Sequence, residues 1–477
     1  MKEPSNDDDA LTMALYGEYL LDIKNDYTAA IPWFERAVSR DPHDTWVRSL
    51  YADALLDAKD AEVQYRAALE CDGTHPLALG NLGELLIKDP LTRNEAIELL
   101  ERNVEHFPDH VSSLVQLGNA HKSVDTSRAE SYFKKAIQCN PDHAKALGGY
   151  AVVKHGLRKD REAAQMLYAR ALFSDPYNAN LLSNYGLFLT EVEHEHDKAE
   201  ELYIRGLRVD PKHANTHYNY GVLMDSVQKN KNGAIECYRK AVASNPKHAF
   251  AWYNLAVLLE QEKRYDEAES AFKRSLVAAP SDPKTLTDYG NFLNTIRRDS
   301  KQAETYYLKS LMVSNESYAP AFYGLGTIHK NQFRFEEAKS CYEKCLMLDN
   351  THCMAYGSMA TLYLDVFELP KRAEELYVKA LQLEPENVEH LVNYADLLSD
   401  ALNDPKAMHV YEKASRLAPN NSYVAHNFAL FLVNKQQRKD LAKNILENIL
   451  ALTKSSECET LLAQISKSKL QVISKIK

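Results

Sequence analysis

The chain has 477 residues, with 57 Lys and Arg against 67 Asp and Glu, and its net charge of −10 argues against a basic nucleic-acid-binding protein. Apolar residues make up 45 %, enough for a packed core and too many for a disordered chain. Glycines number 16, about half the usual share, which disfavours tight β-hairpins and a glycine-rich phosphate loop.

In chain order, residues 1–10 carry Glu3, Asp7, Asp8 and Asp9 and read as a disordered acidic tip. This stretch has no apolar core, so no secretory signal is predicted there. From residue 11 to residue 454 one pattern returns. Pro141, Pro176, Pro211, Pro246 and Pro280 stand 35, 35, 35 and 34 residues apart. The series continues through Asn315, Asn350, Pro385 and Pro419, and runs back less regularly through Pro108, Gly73 and Pro42. These residues end helices, because the residue before a proline is pushed out of the α region. Tyr168, Tyr203, Tyr238, Phe272, Tyr307, Tyr342, Tyr377 and Tyr411 keep the same beat, each followed three residues later by a small residue such as Ala171, Gly206, Ser275 or Ala380. A third marker, an aromatic or apolar residue before Gly or Ala, recurs at Tyr185-Gly186, Tyr220-Gly221, Leu255-Ala256, Tyr289-Gly290 and Leu325-Gly326. Each unit therefore reads as two amphipathic helices joined by a polar loop such as 228–232. The small residues mark close helix contact and the aromatic fills the space between units. No unit buries both faces alone, so neighbours must stack. Residues 455–477 read as a capping helix, with Leu461, Leu462, Ile465, Leu470, Ile473 and Ile476 on one stripe and Lys467, Lys469, Lys475 and Lys477 turned to solvent. The longest apolar runs, such as 428–433, are far short of the ~18 residues of a membrane span.

Residues 252–280, with Trp252, Leu255, Ala256, Leu259, Ala268, Phe272, Ser275 and Pro280, resemble the tetratricopeptide repeat in residue type and spacing. The resemblance implies an all-α fold, a right-handed superhelical solenoid of about 13 tandem helix-turn-helix units. Most units have 35 residues, one more than usual in the family, with the extra residue commonly in the inter-helix loop. The related half-repeat family of RNA-processing scaffolds carries a Trp-x-x-Tyr signature in its first helix, whereas this chain has three Trp and first helices reading Asn-Tyr-Gly. The array is also similar to the superhelical repeat region of O-linked N-acetylglucosamine transferases, without their catalytic domain.

Seven scattered cysteines predict reduced thiols and a cytoplasmic or nuclear setting. In the cluster Cys341, Cys345 and Cys353, Cys345 falls at a small-residue packing position, so buried thiols are expected and no metal. His110, His143, His213, His248 and His352 each follow a helix-ending position by two residues and read as turn or cap residues. The loop 194–197, His-Glu-His-Asp, lacks a partner cluster. No nucleophile elbow, phosphate loop or dinucleotide fingerprint is present, and the repeats occupy nearly the whole chain, so neither catalysis nor a cofactor is expected.

Function is then sought on the surface. Asn81, Asn184, Asn219, Asn254, Asn393 and Asn427 recur just before the first-helix marker, with Asp288 in the same place. A side-chain amide can bond a peptide N–H and C=O together, so such a row can hold an extended backbone. The transferase arrays use an asparagine ladder of this kind. Tyr218 and Tyr253 stand beside the row, and Glu191, Asp225 and Glu260 lie one turn on, so the groove predicts a protein or extended peptide carrying Lys or Arg and an apolar anchor. The basic clamp with which relatives grip acidic chaperone tails has Tyr, Val, Ser, Asp and Glu at its places here. The reading is a non-catalytic scaffold or adaptor that binds a partner in its concave groove, with no nucleic acid and no membrane span. The alternative is a structural subunit of a larger complex, half-repeat RNA-processing scaffolds included, that uses its convex face and ends.

Overall fold

The computed structural model describes residues 3–5, 8–157 and 160–474, with 157 and 467–474 given by backbone alone. Every regular element among them is helical: thirteen consecutive helix pairs, then a last helix, Ser456–Ser474. Numbered in chain order, repeats 1–7 lie in one compact unit, Met1–Pro246, and repeats 8–13 with the last helix in a second, Lys247–Lys477. Five pairs of successive first helices pack on one another in the first unit and two in the second, and no two successive second helices do so to a comparable extent. That asymmetry curves each unit toward its first helices, which line its inner face.

Local chemistry sets where the helices begin. Six first helices are capped by histidine: His75, His110, His143, His213, His248 and His352 each accept an N–H bond from the residue three places on. Asp9, Asp44, Asn178, Asp282, Asn387 and Asn421 cap six others in the same way. The expected turn or cap role of the five predicted histidines is thus a capping role, and His75 joins them. Asp9, read as part of the acidic tip, caps the helix Ala10–Asp22; Asp7 lies outside the described residues.

The repeating aromatics are the core. Tyr168, Tyr203, Tyr238, Tyr307, Tyr342, Tyr377 and Tyr411 are almost wholly buried, as are Phe34, Phe133 and Phe272. The Tyr307 ring lies between Gly290 of its own first helix and Gly324 of the next; a Cβ there would approach ring carbons to 2.7 and 2.5 Å. The aromatic therefore fills the gap between repeats, as its spacing predicts, and also rests on its own repeat. Several hydroxyls reach polar residues of the same repeat's first helix: Tyr307 donates to Asn291 at 2.7 Å, Tyr377 pairs with Thr361 at 2.8 Å, and Tyr65 and Tyr411 donate to Asp53 and Asp396.

Residues beyond the usual 34 go to three different places. In repeats 7, 9 and 11 the extra residue lengthens the inter-helix loop to four residues, against three in repeat 8. In repeats 5 and 6 it enters a π turn that ends the first helix, Val153–Leu157 and Leu189–Glu193; repeat 12, with 34 residues, has such a turn as well, Leu397–Ala401. Repeat 9 has a second extra residue, which enters the turn before repeat 10, where Asn315 and Glu316 are both left-handed and the helix Ala319–Asn331 has no side-chain cap. At the end of the chain Cys458, Leu461 and Ile465 are buried against Phe428, Leu446 and Ile449. The side chains of Lys467, Lys469, Leu470 and Ile473, and residues 475–477, lie outside the description.

Candidate protein-docking face

The predicted asparagines all occupy the sixth place of a first helix, on the inner face. Repeats 6 and 7, with first helices Ala179–Phe188 and Ala214–Ser226, hold Asn184 and Asn219. Repeats 8 and 9, with Ala249–Gln261 and Pro283–Thr295, hold Asn254 and Asp288 in the second unit.

The sixth place often ties one repeat to the next. Asn219 is buried and donates to Ser183 of the preceding repeat at 3.1 Å. Asn81 donates to Asp53 at 2.7 Å, and Asn393 accepts from Tyr423 of the following repeat at 2.9 Å. Asn427 donates to the Tyr423 carbonyl of its own helix at 3.1 Å. Asn184 has no hydrogen-bond partner among the described residues and is half-buried. The row is therefore not a uniform set of free amides, and several of its members are joints between neighbouring repeats. Tyr218 lies 5.9 Å from the Tyr238 ring at 40°, which places it on the buried aromatic of its own repeat.

In the second unit the same register brings acids and aromatics together. Tyr253, in the fifth place of repeat 8, donates to Asp288 of repeat 9 at 2.7 Å, and Lys284 stands 4.8 Å above the Tyr253 ring. Burial pushes the Asp288 carboxyl above its ordinary range, and the Tyr253 hydrogen bond and Lys284 offset part of that. Burial also raises Glu260, with Asp288 as the second cause. The Glu260 side chain makes no hydrogen bond or ion pair among the described residues. A half-buried carboxylate next to a second one is held at higher energy than in water, and a cation supplied from outside relieves it. Sequence reasoning missed two further carboxylates of this kind, Asp53 and Asp396 in the ninth place of their helices, both raised by burial and bonded to tyrosine. Their signal was an acid three residues after the ladder position.

In the first unit the π turns of repeats 5 and 6 border a cavity of about 450 Å³ lined by His155, Gly156, Arg161, Phe188, Glu191 and Val192. His155 stands edge-on to Phe188 with centroids 5.2 Å apart, and its Nε2 is 3.3 Å from Glu191. A π turn is not legible in hydrophobic periodicity, so His155 was not singled out. Cys345 and Cys353 are buried as expected, and burial pushes their thiols up to about 12 and about 11, whereas Cys341 is only half-buried. Cys71 and Cys139 are exposed. Among the described residues no three His, Cys, Asp or Glu are placed to hold a metal ion, and no helix is long and apolar enough to cross a membrane.

Comparison with known proteins agrees with this architecture. Sequence profiles described as tetratricopeptide repeat match residues 228–283, 13–44 and 319–352. The chain superposes on a chain of the APC/C hetero-tetramer Cut9–Hcn1 with a TM-score of 0.55 and 13 % identity, over 96 % of each chain. A stretch of 43 % of the chain superposes on 91 % of Pseudomonas aeruginosa PilF with 24 % identity and a TM-score of 0.38. The human protein O-mannosyl-transferase TMTC3 is 24 % identical over 205 residues, 39 % of this chain, and the chain spans only 22 % of that relative's length. The class is thus an all-helical repeat solenoid. The chain carries tetratricopeptide repeats at residues 13–44, 228–283 and 319–352.

Proposed function

We propose that the chain is a non-catalytic scaffold that binds an extended protein segment carrying Lys or Arg on its first-helix face. Repeats 8 and 9 are the principal contact. The observation that carries this reading is the pair Glu260 and Asp288, both raised by burial, with Glu260 unpartnered among the described residues and Tyr253 bonded to Asp288. A Lys or Arg side chain would neutralise the pair, while Tyr253 and Asn254 would contact its stem and backbone. Asn184, with its unused amide, is the corresponding contact proposed for the first unit; Asn81, Asn219, Asn393 and Asn427 act chiefly within the protein. A cytoplasmic or nuclear setting is part of the same reading.

A positional-scanning peptide library on the full chain tests it. Lys or Arg should be selected at one or two positions. Glu260→Gln with Asp288→Asn should abolish that selection and cost about tenfold in affinity, the worth of one charged hydrogen bond. Affinity should also fall as pH drops through the raised carboxyl values, because the protonated pair no longer attracts a cation. A library that selects no basic residue, or a double variant that keeps the selection, overturns the proposal. A second reading, a structural subunit of a multiprotein assembly, is favoured by the extent of the fold likeness, 96 % of both chains, to a chain of the Cut9–Hcn1 assembly.

A further inference from the structure

The outer side of the second unit carries a feature that the inner-face reading leaves unused. In the thirteenth place of the second helix, repeats 1–4, 6 and 11 carry Ser39, Glu70, Glu105, Gln138, Arg208 and Gln382. Repeats 8, 9 and 10, with second helices Tyr265–Ala278, Ser300–Val313 and Phe335–Leu348, carry Val277, Met312 and Met347 there instead. These side chains are 81, 72 and 82 % exposed. Repeat 5 has Phe173 and repeat 7 Ala243 at the same place, but in repeats 8–10 three long apolar side chains follow one another there, and the result is a row of them in water.

Three residues earlier, on the same helix face, stand Arg274, Lys309 and Lys344, all exposed. At that place in repeats 3 and 5 the cation holds the turn between repeats: Arg102 donates to the Gly73 carbonyl at 2.6 Å and Arg170 to the Pro141 carbonyl at 2.9 Å. In repeats 8–10 it rests on an aromatic ring instead, with Arg274 5.0 Å from Trp252, Lys309 5.0 Å from Tyr306 and Lys344 5.1 Å from Phe322. Arg274 and Lys309 have no carboxylate partner among the described residues, and Lys344 has Glu316 at 3.8 Å. The rings pre-orient the charges beside the apolar row.

We propose that this ridge docks an acidic amphipathic helix of a partner protein, whose apolar side chains cover Val277, Met312 and Met347 and whose carboxylates meet Arg274, Lys309 and Lys344. Charge complementarity selects the acidic partner in a chain whose net charge is −10. Methionines suit the role because an unbranched thioether adapts to the shape that lands on it. The repeat step also fits: packed helices lie about 8–10 Å apart, and a helix advances about 10.5 Å in seven residues, so an apolar residue at every seventh place seats one side chain per repeat. An anionic membrane is disfavoured, because Glu316 beside Lys344 repels a negative plane while a single helix can pass it.

The test uses the full chain and a labelled synthetic helix of about three heptads, with Leu at every seventh place and Glu on either side of it. A twin peptide with Lys for Glu and phosphatidylserine vesicles are measured alongside. The Glu peptide should bind in the micromolar range, and more tightly at low salt. Met312→Glu with Met347→Glu should weaken it at least about tenfold, with Met312→Gln and Met347→Gln as a milder pair. Positions this exposed leave the melting temperature unchanged, so a lost peptide is not a lost fold. Lys309→Ala with Lys344→Ala should reduce the salt dependence. Asp288→Asn on the inner face should change nothing, which separates this surface from the groove. Absence of binding up to about 1 mM, equal binding of the Lys twin, indifference to the methionine pairs, or sedimentation with vesicles in place of peptide binding each overturns the proposal.

Discussion

A histidine caps a helix only while its Nδ1 is unprotonated, because the cap is an acceptor facing the positive end of the helix dipole. His75, His110, His143, His213, His248 and His352 all do so, and burial lowers each of their pKa values. A depressed folded-state value means that the unfolded chain binds more protons. The stability from these caps is complete above the ordinary histidine value of about 6.5 and is lost as pH falls from there through the depressed values. Asp53, Glu260, Asp288 and Asp396 are raised and act in the opposite direction, gaining stability as pH falls. The histidine contribution is therefore read as a difference. His213→Asn and His248→Asn keep a cap that does not titrate. They should retain about 1 kcal/mol each at pH 5.5 that the parent loses, while matching it at pH 8. Thermal melts at the two values check this; equal pH dependence of parent and variants would show that these caps do not govern acid sensitivity.

In nine repeats the turn between the two helices holds a left-handed residue, and in none of the nine is it glycine. Asn25, His194, Lys229, Lys263, Arg298, Phe333, Glu368, Asn403 and Gln437 have φ between 50 and 61°. The left-handed region costs an ordinary L-residue about 1–2 kcal/mol, least for asparagine, and glycine nothing. Part of the gain from glycine returns as unfolded-state entropy. Phe333→Gly and Lys263→Gly should each raise stability by up to about 1 kcal/mol, and Asn403→Gly should leave it near the parent. Phe333 is 80 % exposed, so little packing is lost with its ring. Denaturant titration of the three variants measures the effect; a gain at Asn403 equal to that at Phe333 would mean that strain is not the cause.

In a repeat protein each unit leans on its neighbours, so an end without cover shows an apolar face to water. The last helix supplies that cover through Cys458, Leu461 and Ile465, packed against Phe428, Leu446 and Ile449. Ending the chain at Ser455 removes them, at about 1.5–3 kcal/mol for each large side chain. Hydrogen exchange should then quicken in the helices Ser422–Asn434 and Lys439–Leu452 and stay unchanged in repeats 8–10, and the shortened protein should self-associate. Unchanged exchange in repeat 13 would make the last helix a free arm.

The repeat itself was written in the sequence. A beat of 34 or 35 residues, a ring at one place and a small residue at another admit one kind of packing, because a ring like Tyr307 needs a glycine such as Gly290 beneath it wherever it recurs. Helix starts were legible for a similar reason, since a cap is a bond between residues three apart. Other features depend on contacts that no local pattern encodes. The extra residue of a 35-residue repeat can enter a loop or a π turn with the same periodicity, and neighbouring packing chooses between them. The asparagine row illustrates the same limit. Spacing put Asn81, Asn184, Asn219 and Asn393 in one register, but whether each amide is free depends on the side chain that the adjacent repeat places beside it. Asp53, Ser183 and Tyr423 take three of them, and Asn184 is left over. The sequence by itself determined the fold and the face; tertiary structure decided which groups on that face remain to bind something else, because hydrogen-bond demand is met between repeats and not within them.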